Sequence, residues 1–161
     1  TCPDWYDIMN RAPIIFLMIV FLALPAVAKD LVTPHISISP ERVVEIQLRA
    51  LQQNDDPSSE FGIAQTWAFA HPNNKRMTGP LERFKAMIKG PHYRMMLNHR
   101  EHKIKPVVMT EGYALFDVFI VTESELEASF KWEVSKVISG NYQGCWMTIA
   151  VSPPIQAKDS V

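Results

Sequence analysis

Cysteine is scarce in this chain: two of its 161 residues are cysteines, Cys2 and Cys145. Cys2 lies in an N-terminal segment that we expect to be removed, so the mature protein would keep Cys145 alone. A single cysteine cannot form an intramolecular disulfide, which excludes the disulfide-stabilised class of small exported domains. Because Cys145 lies between a glycine and a tryptophan, we interpret it as a small buried core residue rather than a nucleophile.

An excess of charge of one sign is also lacking. Sixteen Lys and Arg nearly balance seventeen Asp and Glu, for a formal net charge of −1. General nucleic-acid binders are usually basic over the whole domain, so we expect no nucleic-acid partner. The sequence has no phosphate-binding loop, no Rossmann glycine motif and no serine-nucleophile motif. We therefore expect no cofactor.

A hydrophobic run near the N-terminus is typical of a secretory signal peptide. Arg11 precedes an apolar run at 14–24, and Ala26-Val27-Ala28 follows as a small-residue cleavage pattern. A helix of this length rises only about 16 Å, roughly half the apolar thickness of a bilayer. We therefore expect cleavage after Ala28 and export to the periplasm, the cell exterior or an organelle lumen.

The alternative is that the uncharged stretch 12–28 stays as an uncleaved membrane anchor. That stretch contains two prolines and barely reaches the lower limit of about 17 residues for a span. Met9 is a natural start for a signal, so we expect residues 1–8 to lie upstream of the protein's own start. These expectations divide the chain into an extension with signal peptide (1–28), one domain (29–155) and a frayed tail (156–161).

The first part of the domain predicts three helices. Ser39 and Pro40 form an N-terminal capping pattern for a helix that runs to about residue 53. A strongly aromatic helix follows over 60–70, and the breaker-rich stretch 71–76 should end it. Pro80 is placed at the first position of a third helix, which Gly90-Pro91 stops.

After Pro91 the apolar residues take the period of two that is typical of β-strands. Strands are predicted over 103–109, 113–121, 128–137 and 145–151. Three helices followed by four strands, without alternation of the two, predict an α+β fold. In that fold the helices pack on a four-stranded antiparallel sheet.

The order of several short segments is more specific than any one of them. The segments are RVVEIQLRALQQND (42–55), WAFA (67–70), TGPLERF (78–84), Tyr93 with His99 and Arg100, and GCWM (144–147). In this order, over about 40–151, the sequence resembles the family called domain of unknown function 4864. The resemblance implies a nuclear-transport-factor-2-like or cystatin-like fold, in which a curved antiparallel sheet wraps around helices and leaves a cone-shaped cavity. It brings no established activity or catalytic residue, and related folds serve enzymes, binding domains and dimerisation domains alike, so the fold alone does not decide the function.

The stretch 71–105 is strongly basic, with nine Lys or Arg against two acids. Such a cluster is able to bind an anionic ligand. Arg83 and Arg100 are the best candidates because each lies beside apolar positions, and Tyr93 and His99 lie in the same stretch. The alternative, and commoner, arrangement is a solvated face that balances acidic flanks.

Two further candidates lie on predicted strands. Asp117 interrupts an apolar strand, on the face that also carries Tyr113 and Phe119, and we expect it to pair with a central arginine or, less often, to perform acid–base chemistry. Trp146 is at a core-like position. The predicted site thus consists of Arg83, Tyr93, His99 and Arg100, facing Asp117 and Trp146 across a cavity.

His99 and His102 have a spacing that places two metal ligands on one face of a helix but on opposite faces of a strand. Because a strand is predicted from about Lys103, we expect no metal site here.

Three functional hypotheses stay open. The first is binding of a small anionic or amphipathic ligand in the cavity. The second is an acid–base enzyme of the isomerase or dehydratase kind that uses the same cavity with Asp117, Tyr93 or His99. The third is a non-catalytic assembly module that forms a homodimer through its sheet face. A deep cavity with convergent polar groups favours the first two, and a filled cavity with a large apolar sheet face favours the third.

Overall fold

In the computed structural model, which describes residues 30–156, four helices precede an antiparallel sheet. The helices are α1 (Pro40–Gln52), α2 (Phe61–Ala68), α3 (Pro72–Thr78) and α4 (Leu81–Ile88), followed by a 3-10 turn at Arg94–Met96. The strands are β1 (Glu101–Met109), β2 (Tyr113–Val121), β3 (Glu127–Lys136), β4 (Trp146–Val151) and the short β5 (Ile155–Gln156). The predicted α+β class is confirmed. The predicted signal peptide, and the predicted tail beyond residue 156, lie outside the described residues.

The prediction of three helices was wrong, because the stretch expected to end the second helix begins a helix of its own. The ring Nδ1 of His71 accepts a hydrogen bond from the Asn73 N–H at 3.1 Å, and Pro72 takes the first helical turn of α3. Proline lacks an N–H, and the first turn of a helix does not need one, so Pro72 starts a helix here rather than only stopping one.

None of the helices within residues 30–156 has the length and apolarity needed to cross a membrane.

The sheet is antiparallel throughout, in the order β1-β2-β3-β4. The short β5 pairs with the beginning of β3, beyond the end of β4. Register shifts interrupt the β1–β2 pairing between Pro106 and Val108 and the β3–β4 pairing between Glu133 and Val134.

One face of the sheet packs against the helices and forms the core. In β2 and β3 every second residue is buried, which places Phe116, Val118, Phe130 and Trp132 on that face. Helix α1 lies across it and contributes a fully buried stripe of aliphatic side chains that includes Leu48. The helical layer is thus held to the sheet by apolar burial.

Helices α1 and α2 cross at very short range because residue 62 is a glycine. A Cβ atom at Gly62 would lie 2.1 Å from the carbonyl oxygen of Ala50. Asn54 fixes the same crossing, since its backbone carbonyl accepts from the Gly62 N–H at 2.9 Å and its side-chain oxygen accepts from the Ile63 N–H at 3.1 Å. Its own N–H donates to the side chain of Asn98 at 3.1 Å, which ties the segment before β1 to the helices.

Candidate functional site

A cavity of about 300 Å³ lies between the helices and the sheet. Its closed end is lined by buried side chains from the core, among them Gln47, Leu51, Thr66, Phe84, Trp132 and Thr148. Its other end is lined by residues that reach solvent, which we call the mouth: Asn74, Met77, Thr78, Tyr93, Ala150 and Val151. The cavity is therefore a pocket that opens between α3, the segment after α4 and the end of β4.

Three buried polar side chains at the closed end are bonded to one another. The indole N–H of Trp132 donates to the Thr148 hydroxyl at 3.0 Å and more weakly to the Gln47 side-chain oxygen at 3.3 Å. The Thr148 hydroxyl donates to the same Gln47 oxygen at 2.6 Å, and the Gln47 amide donates to the Thr66 carbonyl at 2.9 Å. These bonds use the donors of Trp132 and Thr148 and one of the two amide hydrogens of Gln47.

The mouth carries polar groups that keep part of their bonding capacity. The Tyr93 hydroxyl donates to the Val151 carbonyl at 3.2 Å, which leaves its oxygen able to accept. The Asn74 amide donates to the Thr148 carbonyl at 3.2 Å, which leaves its oxygen and its second amide hydrogen. Burial raises the pKa of Tyr93, so this hydroxyl stays protonated and uncharged at neutral pH.

Helix α3 forms one side of the mouth without belonging to the core. None of its residues is buried, and the side chain of Met77 is 80% exposed. The helix is anchored at its start, where the His71 N–H donates to the Thr148 carbonyl at 2.8 Å beside a parallel bridge between Ala70 and Thr148. It ends at Gly79, whose φ of 82° lies in the left-handed region that glycine adopts readily.

Within the described part of the chain, no Lys, Arg, His, Asp or Glu lines the cavity. Of the six predicted site residues, Tyr93 alone lies on its wall. Arg83 is exposed on α4. Arg100 pairs with Glu101 at 3.1 Å and with Glu125, which lies in the β2–β3 connection. The structure therefore does not bring the two arginines together at the cavity, and a ligand-binding role for them stays a prediction.

Asp117 and Trp146 also lie away from the cavity. Asp117 is on the outer face of β2, where its carboxylate lies 2.5 Å from the ammonium of Lys131 on the neighbouring strand. The prediction that Asp117 pairs with an arginine was wrong, since its partner is Lys131. The prediction that Asp117 faces the cavity was also wrong, because the other face of β2 packs against the helices. Trp146 is half-buried against the core, with the Lys136 ammonium 5.3 Å from its ring centre.

His99 and His102 are in contact, contrary to the expectation that they point to opposite faces. The chain reverses at Asn98, with a φ of 51°, and β1 begins only at Glu101, so strand alternation does not apply to His99. His99 is buried, and its Nδ1 lies 2.7 Å from the Met96 carbonyl oxygen while its Nε2 lies 2.7 Å from His102 Nδ1. Because Nδ1 must donate to the carbonyl, Nε2 is the acceptor of a bond from His102. The residues that the structure describes contain no group of three potential metal ligands.

Sequence reasoning missed Gln47, Asn74 and Thr148. Gln47 left one signal: it lies three residues after Val44 and four after Val43, so a polar side chain occupies the apolar stripe of α1. Asn74 was hidden because α3 was not predicted. Thr148 resembles any other β-branched strand residue, and it lies 101 residues from Gln47, its hydrogen-bond partner.

The comparisons with known proteins give a family and nothing beyond it. The family model described as Domain of unknown function (DUF4864) matches residues 37–149, which is more than two thirds of the chain. No curated protein matches the chain, and no solved structure matches it. The matched range holds helices α1 to α4, strands β1 to β3 and most of β4, and with them nearly all of the cavity wall. The chain therefore belongs to the family of domains of unknown function DUF4864.

Proposed function

We propose that this chain is a binding domain that takes a small, mostly apolar molecule into the cavity between its helices and its sheet. The observation that carries the proposal is the cavity itself, with a mostly apolar wall, a hydrogen-bonded polar cluster at its closed end and polar groups at its mouth. A cavity of about 150 Å³ is large enough to bind benzene. The volume here is about 300 Å³, which suits a molecule of two fused rings or an equivalent aliphatic one.

The cavity favours an amphipathic or uncharged ligand over an anionic one. A charged group loses its hydration on entering an apolar cavity, and that loss is large unless a partner of opposite charge is present. No basic side chain of the described residues lines this wall, and several of the basic side chains in 71–105 are already paired. Lys85 and Lys89 both pair with Glu60, and Arg100 pairs with Glu125.

An acid–base enzyme in this cavity has less support. Proton transfer at neutral pH needs a group whose pKa lies near 7, usually with a second titratable group nearby. Tyr93 is the one titratable side chain that the described residues place on the wall, and burial moves its pKa further up from its ordinary value. The wall thus offers binding groups rather than an acid–base pair.

A homodimer through the sheet face stays a prediction with one favourable observation, the exposure of Val108 and Phe119 on the outer face. The β1 edge is less suited to pairing with a second chain, because Lys103, Lys105, Pro106 and a register shift interrupt it. Sedimentation of the purified domain tests the idea. A monomer at micromolar concentration would argue against it.

A cone of the nuclear-transport-factor-2-like type is the fold that we propose for the whole domain. Helices on one face of an antiparallel sheet, with a cavity between the layers, support it. An experimental structure would test it through the curvature of the sheet around the helices, and a flat open sheet would contradict it.

We also propose export of the domain, on the strength of the basic residue, apolar run and small-residue site at 11–28. N-terminal sequencing of the protein from the host's exported fraction should begin at Lys29. A chain that starts at or before Met9 and fractionates with membranes would show an anchor instead.

The binding proposal is tested with naphthalene as the probe. Naphthalene should raise the Tm of the domain, because a ligand that binds only the folded state stabilises it, by about 2.7 kcal/mol at 100 times its Kd. Met87→Trp should abolish the shift by filling the cavity, which Met87 lines. Met95→Trp is the matched control, because Met95 packs against the same core without lining the cavity.

The proposal fails if neither naphthalene nor its hydroxyl, methoxy and carboxylate derivatives shift the Tm. It also fails if Met87→Trp and Met95→Trp keep the same shift, since binding would then lie elsewhere.

A further inference from the structure

We propose that the cavity selects an uncharged ligand whose polar group donates a hydrogen bond, and that Tyr93 and Asn74 bind this group at the mouth. The inference rests on the proposed binding function and names the class of ligand: a small apolar body with a hydroxyl, or an uncharged N–H, at one end. It follows from counting the donors and acceptors that the protein has already used.

The closed end favours the apolar body. Its polar side chains, Gln47, Trp132 and Thr148, are bonded to one another and to the Thr66 carbonyl. The one donor left there is the second amide hydrogen of Gln47. A polar ligand group at the closed end would thus find few unused partners, and an unsatisfied buried polar group is unfavourable. The ligand's polar group is therefore favoured at the opposite end.

The mouth sets the kind of polar group. The Tyr93 hydroxyl gives its proton to the Val151 carbonyl at 3.2 Å, so towards a ligand it acts as an acceptor. Towards Tyr93 a ligand group must then donate, which a hydroxyl does and an ether or a carboxylate does not. An ether or a carboxylate could accept only from Asn74. The remaining oxygen and amide hydrogen of Asn74 fit the same choice, since a hydroxyl both donates and accepts.

The absence of charge on the described wall narrows the class further. An ammonium group also donates, but it would enter the mouth without a carboxylate to pair with. Tyr93 itself stays uncharged at neutral pH, because burial raises its pKa. A neutral hydroxyl is the donor that meets all of these conditions.

A series of probes on one ring system tests the selection in the full chain. The probes are naphthalene, 1-naphthol, 1-methoxynaphthalene and 1-naphthoate, each titrated by calorimetry. We expect 1-naphthol to bind about three- to tenfold more tightly than 1-methoxynaphthalene, the ratio that one net hydrogen bond provides. The carboxylate should bind most weakly of the four. Equal affinity for 1-naphthol and 1-methoxynaphthalene would overturn the inference and leave the binding proposal intact.

Two variants assign the selection to residues. Tyr93→Phe and Asn74→Ala should each reduce the ratio of the two affinities, to less than twofold in Tyr93→Phe. Tyr142→Phe is the control, because Tyr142 is exposed and away from the cavity. The ratio is measured within each variant, so a general loss of stability does not affect it, and Asn74→Ala gives a second reading if Tyr93→Phe folds poorly. An unchanged ratio in both variants would show that other groups select the ligand, and no binding by any of the four probes would overturn the proposed function itself.

Discussion

His99 is the most deeply buried titratable side chain of the segment between α4 and β1, with 2% of its surface exposed. Both of its ring nitrogens are bonded, one to the Met96 carbonyl and one to His102, and this arrangement suits two neutral rings. A second proton on His99 would sit on Nε2 and face the donating N–H of His102. The pair thus links the stability of this segment to pH, and Met96 in the same segment lines the cavity.

Acidification should weaken the fold through these two rings. Burial lowers the pKa of both His99 and His102 below the ordinary value, with the positive charge of Arg49 acting in the same direction on His102 and Glu45 opposing it. Below pH 6.5 the unfolded chain therefore binds more protons than the folded one. The contribution is complete above about pH 6.5 and is lost as the pH falls towards the folded pKa, with a slope of at most about 1.4 kcal/mol per pH unit for each proton.

Urea unfolding between pH 7.5 and pH 5.0 measures this effect. His99→Gln, which keeps an amide able to donate and accept but does not titrate, should show a shallower loss of stability with acid than the wild type. His92→Gln, a change at an exposed position, serves as the control. Parallel slopes for His99→Gln and the wild type would mean that the pair does not control the acid response.

The polar cluster at the closed end of the cavity should contribute to stability as one unit. Thr148→Val keeps the shape but removes a hydroxyl that both donates and accepts, and we expect it to lower the free energy of unfolding by about 1–3 kcal/mol. Gln47→Leu should cost a similar amount, because it leaves the Trp132 and Thr148 donors with fewer acceptors. The double variant should cost clearly less than the two single changes together, since both disrupt the same network. Additive losses in urea unfolding would contradict a shared network.

At the scale of elements, the close crossing of α1 and α2 depends on a glycine, Gly62, which has no Cβ atom. Gly62→Ala would place a methyl group 2.1 Å from a backbone oxygen, and backbone cannot move aside as a flexible side chain does. We expect a loss of about 3 kcal/mol or more, or failure to fold, as measured by urea unfolding. Gly112→Ala is the matched control, because nothing lies within 4 Å of its added Cβ, and it should change stability by less than about 0.5 kcal/mol. Similar stability of the two variants would mean that the helices do not approach so closely.

Elements whose sequence pattern fits one structure could be predicted, and elements whose pattern fits two structures equally well could not. The capped start of α1 at Pro40 and the span of β2 agree with their predictions. Pro72 was ambiguous because a proline after one helix is also a good first residue for the next. The face of β2 was ambiguous because both of its sides are apolar: Tyr113, Leu115 and Phe119 lie on one side and Phe116, Val118 and Ile120 on the other. Alternation alone shows which residues share a side, not which side packs against the helices.

The candidate site was harder to predict than the fold because its wall is assembled from remote parts of the chain. Gln47, Asn74, Tyr93 and Thr148 come from α1, α3, the segment after α4 and β4. Each is an ordinary residue in its own local sequence, and only the packing of the helices on the sheet brings them to one cavity. Charge, which is conspicuous in a sequence, pointed instead to Arg83 and Arg100, which the structure places away from the cavity.

For the whole molecule, the basic stretch and the acidic flanks meet as pairs between elements. Lys85 and Lys89 on α4 reach Glu60 at the start of α2, and Arg100 before β1 reaches Glu125 in the β2–β3 connection. Exposed pairs of this kind contribute little individually. They pair three of the nine basic side chains of 71–105 without a ligand, and the cavity remains as the feature that packing leaves unexplained.

For a cavity of this size, the stability of the empty domain and its capacity to bind a ligand are opposed. Apolar space without atoms forgoes packing energy, so a side chain that fills it should stabilise the empty protein. Met87→Trp is therefore expected to unfold at a higher urea concentration than the wild type when no ligand is present. In saturating naphthalene the order should reverse, because only the wild type gains the free energy of binding. If the tryptophan variant is instead the less stable one without ligand, the space beside Met87 is already filled in solution, and the cavity is not an empty binding site.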